Sequence, residues 1–196
     1  MTQLRTPLAL LAALSLSACI SFGAKPPPQL MELKPAQTLP ADTNRTANAG
    51  QAITVVVPTV PQELATLRVP VRSGGGTNVA YLKDAQWVEM PSAQFARLLS
   101  ETIAVTTGRV VLDPAQFTFD PGTRLTGQLR TFGIDADQRQ AVVVYDAALA
   151  RGAEQVQVRR FEAHVPIAAV DPASATVGLN QAANQVAADV AKWIGS

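Results

Sequence analysis

Histidine and cysteine each occur once in this chain of 196 residues, as His164 and Cys19. One thiol cannot close an internal disulfide. One imidazole leaves no second histidine or cysteine with which to build a zinc set of N and S ligands. His164 sits at the apolar end of a strand pattern, two positions after Glu162, and reads as a structural histidine. Charged side chains make up 16% of the chain and the formal net charge is +1, so the basic face of a nucleic-acid binder is missing. The apolar run Leu8–Ala18 stops after about 11 residues, short of the roughly 20 that cross a bilayer. The triple glycine Gly74–Gly76 lacks the GK[ST] ending of a phosphate loop and precedes a strand, so it reads as a hairpin turn. Asp135 and Asp137 lack the glycine and closing glutamate of a calcium loop. Ser92, Ser100 and Ser174 have no G-x-S-x-G context. Catalytic residues, metal ligands and a bound cofactor are therefore not expected, and the chain does not read as an enzyme.

What is present begins at the N-terminus. Arg5 followed by Leu8–Ala18 has the layout of a secretory signal, a positive residue before a short apolar segment. The run ends in Leu16-Ser17-Ala18-Cys19, which resembles the lipobox of bacterial lipoproteins. That resemblance implies cleavage before Cys19, a diacylglycerol on its sulfur and an N-acyl chain, palmitate among the acyl groups. Two or three acyl chains at about 0.8 kcal/mol per buried CH₂ make a permanent anchor. Ile20 follows, where an aspartate would favour inner-membrane retention, so the outer membrane is expected. The division that follows is a signal peptide over 1–18, lipidated Cys19 with a Pro-rich tether over 19–29, and one periplasmic domain over 30–196. The tether carries three consecutive prolines, Pro26–Pro28, suited to a semi-rigid extended spacer.

Beyond the tether, Leu30–Lys34 reads as a short first strand. Ile53–Pro58 is a continuous β-branched run, as in a strand buried on both faces. Leu67–Arg72 contains Pro70 and is expected at a sheet edge or bulge; it forms a hairpin with Val79–Asp84 across the glycine turn. Met90–Thr107 predicts a helix whose apolar face is Phe95, Leu98, Leu99, Thr102 and Ile103, stopped by Gly108. Arg109–Asp113 returns as a strand. Thr123–Ile134, Gln140–Ala150 and Glu154–Val165, joined by short polar links, predict an antiparallel meander. Strict alternation in the first of them puts Leu125, Gly127, Leu129 and Thr131 on one face, and Thr126, Gln128, Arg130 and Phe132 on the other. The third alternates Val156 and Val158 with Gln155, Gln157 and Arg159 in the same way, implying covered valines. Pro172–Ile194 predicts a second helix with Leu179, Ala183, Val186, Val190 and Ile194 as its stripe, and with Asn180 and Asn184 outside it. The fold class expected is α+β, a mixed, largely antiparallel sheet with two amphipathic helices packed on it. Tyr81 and Trp87 flank the stretch LKDAQ. Either they pack in the core or they face a partner, because Tyr and Trp are enriched at interface hot spots.

The lipobox, the Pro-rich leader, ITVVVPTVP, the block VAYLKDAQWVEMPSAQFARLLSETI and the closing helix together resemble the ABC-type transport auxiliary lipoproteins. That family includes the paraquat-inducible lipoprotein of MCE-type lipid transport systems. The family's tyrosine pair near its start is replaced here by LMEL, Leu30–Leu33. The resemblance implies an outer-membrane lipoprotein facing the periplasm that docks an MCE-domain carrier. Through that carrier it would work with an inner-membrane ABC permease and ATPase. A homo-oligomer is left open. Two other classes stay beside it: a lipid-binding module with a pocket between sheet and helices, and a structural or assembly lipoprotein with no transport role.

Overall fold

The computed structural model describes residues 29–48, 51–114, 122–152 and 155–195. Cys19, the signal segment and most of the tether lie outside the described residues. Among the described residues, nine strands, two α-helices and one short 3-10 turn follow in chain order: β1 (Gln29–Met31), β2 (Ala52–Val55), the 3-10 turn (Gln62–Leu64), β3 (Pro70–Ser73), β4 (Asn78–Tyr81), β5 (Ala85–Trp87), α1 (Pro91–Thr107), β6 (Val110–Leu112), β7 (Thr123–Asp135), β8 (Gln140–Arg151), β9 (Gln155–Pro166) and α2 (Pro172–Gly195).

The expected α+β architecture is present. β7 is the spine. Along one edge it pairs antiparallel with β8 over its full length, and β8 pairs antiparallel with β9. Its other edge is shared by two short strands that run parallel to it: β2 beside Arg124 and Leu125, and β3 beside Ile134 and Asp135. The intervening chain keeps company with β7 through a bridge between Thr59 and Gln128. β6 extends the sheet beyond β2 in parallel, and β4 extends it beyond β3 as a hairpin partner. Four of the seven pairings among the described residues are thus parallel, although the long antiparallel ones carry most of the paired residues. β1 and β5 form a separate parallel pair.

Two expectations about strands are corrected. Pro70 does not mark an edge: β3 lies between β4 and β7, and Pro70 is tolerated because it is the first residue of the strand. The alternation along β7 is broken as well. Leu129 lies opposite Tyr145 while Thr131 lies opposite Val144, so Arg130 is an extra residue, a β-bulge. A bulge shifts the two-residue period by one. Phe132 therefore joins Leu125 and Leu129 on the buried face, and Thr131 moves to the outer one.

The helices cover one face of the sheet and pack on each other. Pro91 opens α1, where a missing N–H costs nothing, and Gly108 closes it at φ 72°. The expected apolar faces are buried, apart from the half-buried Thr102. Gly178 allows α2 to lie close on the sheet: a Cβ there would come within 2.5 Å of Ile167 Cγ2 and 2.9 Å of Ala141 Cβ. Between the layers, Trp87, Phe132, Phe95 and Tyr145 form a chain of rings with centroid separations of 5.3, 6.2 and 5.3 Å.

The segment after β1 crosses the outer side of the helices and is held there by side chains. The Leu33 amide donates to Gln94 Oε1 (2.8 Å), Lys34 to Asn180 Oδ1 (2.8 Å), Ala36 to Asn184 Oδ1 (2.7 Å) and Leu39 to Glu101 Oε1 (2.6 Å). Asn184 Nδ2 returns a bond to the Lys34 carbonyl at 2.9 Å. Asn180 and Asn184 lie outside the apolar stripe, as read from the sequence, yet they are a clamp four residues apart on one helix face.

Candidate partner-binding surface

Tyr81 ends β4, the outermost strand of the hairpin, and its side chain is half-buried. Its hydroxyl donates to the Glu63 carbonyl at 3.4 Å. The Arg68 guanidinium lies 4.1 Å from the ring centroid, a distance at which ring and cation attract. The Glu63 carboxylate pairs with Arg72, whose guanidinium also donates to the Gly76 carbonyl at 3.3 Å. Val79, on the same side of β4, is 43% exposed. Tyr81, Arg68, Arg72 and Val79 therefore make one platform of aromatic, guanidinium and apolar surface. Tyr and Arg are the types that anchor interfaces, because each offers a large contact area beside a polar tip, and Val79 adds apolar surface next to them.

The turn that carries this platform is pinned. Gly74, Gly75 and Gly76 all have positive φ, at 62°, 67° and 82°, which side-chain-bearing residues adopt only under strain. The Gly75 amide donates to Asp137 Oδ2 at 2.9 Å, across to the β7–β8 turn. There Asp135 Oδ1 accepts from the Gln138 amide at 2.9 Å. The two aspartates thus shape turns.

Trp87 is placed elsewhere. It is 1% exposed, and its ring packs on Phe132. The reading of Trp87 as a partner-facing anchor is corrected to core packing. Its six-residue spacing from Tyr81 concealed that the chain passes from β4 into β5, which turns the indole under the sheet. Among the described residues, the Trp87 indole N–H has no hydrogen-bond partner. Arg68, Glu63 and Arg72 were not singled out in the sequence. Only the spacing of the two arginines around Pro70 signals them, and it cannot say that the β3–β4 register brings them to Tyr81.

A second polar feature lies on the sheet face turned away from the helices. Asp146 on β8 accepts from Arg160 Nε (2.6 Å) and Nη2 (2.9 Å) on β9, and lies 3.4 Å from Arg130 Nη1 on β7. The hydrogen bond from Arg160 is the main cause holding the Asp146 carboxyl below its ordinary range. The same contact raises the Arg160 guanidinium. Among the rings on the other face, burial pushes the Tyr145 phenol well above its ordinary value, and its O–H donates to the Thr126 carbonyl at 3.0 Å. His164 Nδ1 lies 3.2 Å from Gln140 Oε1 on the outer sheet face, so its neighbour is a cross-strand amide rather than Glu162. Among the described residues, no group of three or more His, Cys, Asp or Glu side chains is placed to hold a metal, and no helix is long and apolar enough to cross a membrane.

Two solved structures share this architecture. An uncharacterized protein superimposes with a TM-score of 0.68 at 16% identity, over 85% of this chain and 97% of its own. A protein from Xanthomonas campestris gives a TM-score of 0.65 at 19% identity, over 86% and 92%. At such identities the likeness speaks for the fold alone. No functionally curated protein matches the chain. The family model for ABC-type transport auxiliary lipoprotein components matches residues 32–191. That span runs from the strap across the helices, through the Tyr81 platform and the whole meander, to the last turns of α2, and the chain belongs to that family.

Proposed function

We propose that this protein is a non-enzymatic docking component of an envelope lipid transport system, fixed to the outer membrane through lipid on Cys19 and facing the periplasm. Its platform of Tyr81, Arg68 and Val79 receives an MCE-domain carrier, which connects it to the inner-membrane permease and ATPase. The observation that carries this reading is the platform itself: a half-buried tyrosine with a stacked guanidinium, on the outermost strand of a hairpin whose turn is pinned by Asp137. Membership in the ABC-transport auxiliary family supplies the context. Anchoring adds effective concentration, so a modest contact area is enough for docking. The space between sheet and helices is filled by Trp87, Phe95, Phe132 and Tyr145, which supports docking over storage of lipid inside the fold.

A photo-crosslinking residue at Tyr81 tests the reading in cells, with the exposed α2 position Gln185 as control. Capture of an MCE-domain protein from position 81 and not from 185 is the expected result. Capture of outer-membrane assembly factors alone, or of lipid alone, overturns it. Tyr81→Ala is expected to weaken carrier binding by about thirtyfold or more, as loss of an interface hot spot does.

A further inference from the structure

β9 is the last strand of its sheet: among the described residues it pairs with β8 and with no other strand. It is 12 residues long and unbroken, Gln155–Pro166. Natural sheets shield such an edge with a bulge, an internal proline, charged side chains (lysine above all), or brevity. β9 has no lysine, its proline is its final residue, and its register against β8 runs without a shift; its charges are Arg159, Arg160 and Glu162, grouped around Phe161, so what can pair there depends on charge sign. Val156 and Val158 stand on the outer face at 63% and 73% exposed. Strict alternation from Arg160, which is opposite Asp146, puts them there rather than under the helices, so the covered position implied by the sequence alternation is corrected. A hollow of about 370 Å³ lies at the far end of the same edge, where Val165, Ile167 and Val177 line the gap between β9 and α2; Val177 is 69% exposed.

The charges on the outer face specify what fits. Arg130 on β7, Asp146 on β8 and Arg160 on β9 form a row across three strands, alternating in sign and ending in a cation at the open edge. Arg160 already holds Asp146 through Nε and Nη2, and an acid on the next strand would continue the alternation. Glu162 is on the same face of β9, two residues along. We propose that β9 pairs antiparallel with β9 of a second copy of this chain, about a two-fold axis through Phe161. That register sets Arg160 opposite Glu162 of the second copy, and the reverse, so the alternating row continues without a break through both sheets. Val158 then faces the second copy's His164, and Val156 faces its Pro166, where the ladder ends for want of an N–H. Neighbouring two-fold registers fail on charge. An axis through Arg160 sets two arginines opposite each other, and one through Glu162 sets two glutamates opposite; like charges directly opposite destabilise a pair. An axis between residues would bring outer-face residues against inner-face ones, throwing the helix layers to opposite sides. The chosen register keeps both α2 helices on one side of a continuous sheet.

The register makes the test specific. Full chains carrying Cys19→Ser, which leaves the introduced cysteine as the single one, are prepared in detergent with either Val158→Cys or His164→Cys, then mixed and treated with a short bis-maleimide. The expected product is a crosslinked dimer in the mixture and none in either variant alone, because each position faces the other and not itself. In sedimentation velocity, Glu162→Arg is expected to weaken the dimer about tenfold, by converting two attractive contacts to two repulsive ones. Val158→Lys, which shields the edge, is expected to weaken it without disturbing the far-ultraviolet circular dichroism. A chain that is monomeric at every concentration overturns the proposal. So does a dimer that crosslinks equally in the single variants, or one indifferent to both substitutions. If β9 instead captures a strand of a different protein while the chain alone stays monomeric, the second copy is the wrong occupant. None of these readouts depends on the carrier.

Discussion

The two faces of the β7–β9 meander are built from alternate residues of the same three strands, yet they follow different rules. The inner face is a jigsaw: Leu125, Leu129, Phe132, Val143, Tyr145 and Phe161 are all at most 5% exposed, and their rings meet those of Trp87, Phe95 and Trp193 edge to face or tilted. The outer face has a charged row through Asp146 and a pair of exposed valines. On the inner face, shape decides what is allowed, because a close-packed interior feels the loss of single methylenes. On the outer face, charge sign and edge chemistry decide, and water forgives size. The same strands can hold a fold together on one side while the other side is left for recognition.

Substitutions on the two faces should therefore differ in kind and size. Phe132→Ala removes a ring that touches both Trp87 and Phe95, and is expected to cost about 3–5 kcal/mol in urea denaturation. A cost under about 1 kcal/mol would mean that the inner face tolerates voids and that the contrast fails. Gly127→Ala is next. A Cβ there would lie 2.3 Å from the Asp146 carbonyl and 2.6 Å from the Tyr145 ring and hydroxyl, and the backbone carbonyl cannot swing away. We expect a loss of about 1–3 kcal/mol, with the near-ultraviolet tyrosine signal altered. Asn184→Ala removes two bonds to the strap, at 2.7 and 2.9 Å, and is expected to cost about 0.5–1.5 kcal/mol. The sharper readout is faster amide exchange at Ala36, with β8 amides unchanged.

The smallest effect is expected on the outer face. Asp146→Asn should shift Tm by no more than about 2 °C at pH 7. Its pH dependence carries the information. The Asp146 carboxyl is held below its ordinary value in the folded state, so its stabilising contribution is present above the unfolded pKa. It is lost as pH falls through the folded one. The unsubstituted chain and the Asp146→Asn variant should therefore differ at neutral pH and converge on the acid side. Divergence on acidification would assign the opposite sign to the Arg160 contact.

The helices and the meander were legible in the sequence, the contrast between its faces less so, and the gaps have identifiable causes. Both helices announce themselves through apolar stripes of regular spacing, Pro91 and Gly108, because helix signals are local. The meander shows in three long alternating runs with short polar links. Arg130 hid the placement of Phe132, since a one-residue bulge without glycine leaves no local mark and inverts every later position on its strand. β5 was missed because Ala85–Trp87 is three residues long and pairs with β1, more than fifty positions earlier. Pro70 misled about β3 because order within a sheet is settled by distant strands. Of the two candidate contact residues, Tyr81 kept a surface position and Trp87 did not. Composition could say that a tryptophan is valuable but could not say on which side of a strand it falls.

The strap across the helices also sets how the molecule would carry load. A pull at Gln29 enters through the Gln29 side chain, which is bonded to Thr176 Oγ1 at 2.9 Å, then reaches Gln94, Asn180, Asn184 and Glu101 in turn. The first residues to feel the pull are those of β1, which is paired with β5; the attachments from Leu33 onward belong to α1 and α2, so tension that passes β1 is spread along the helix layer. They also lie in series behind the β1–β5 pair, so they release one after another as a zip opens, and each release lengthens the leash by a few residues while the seven-stranded sheet stays whole. The strap is in this sense a graded fuse between whatever holds the N-terminus and the surfaces that meet a partner.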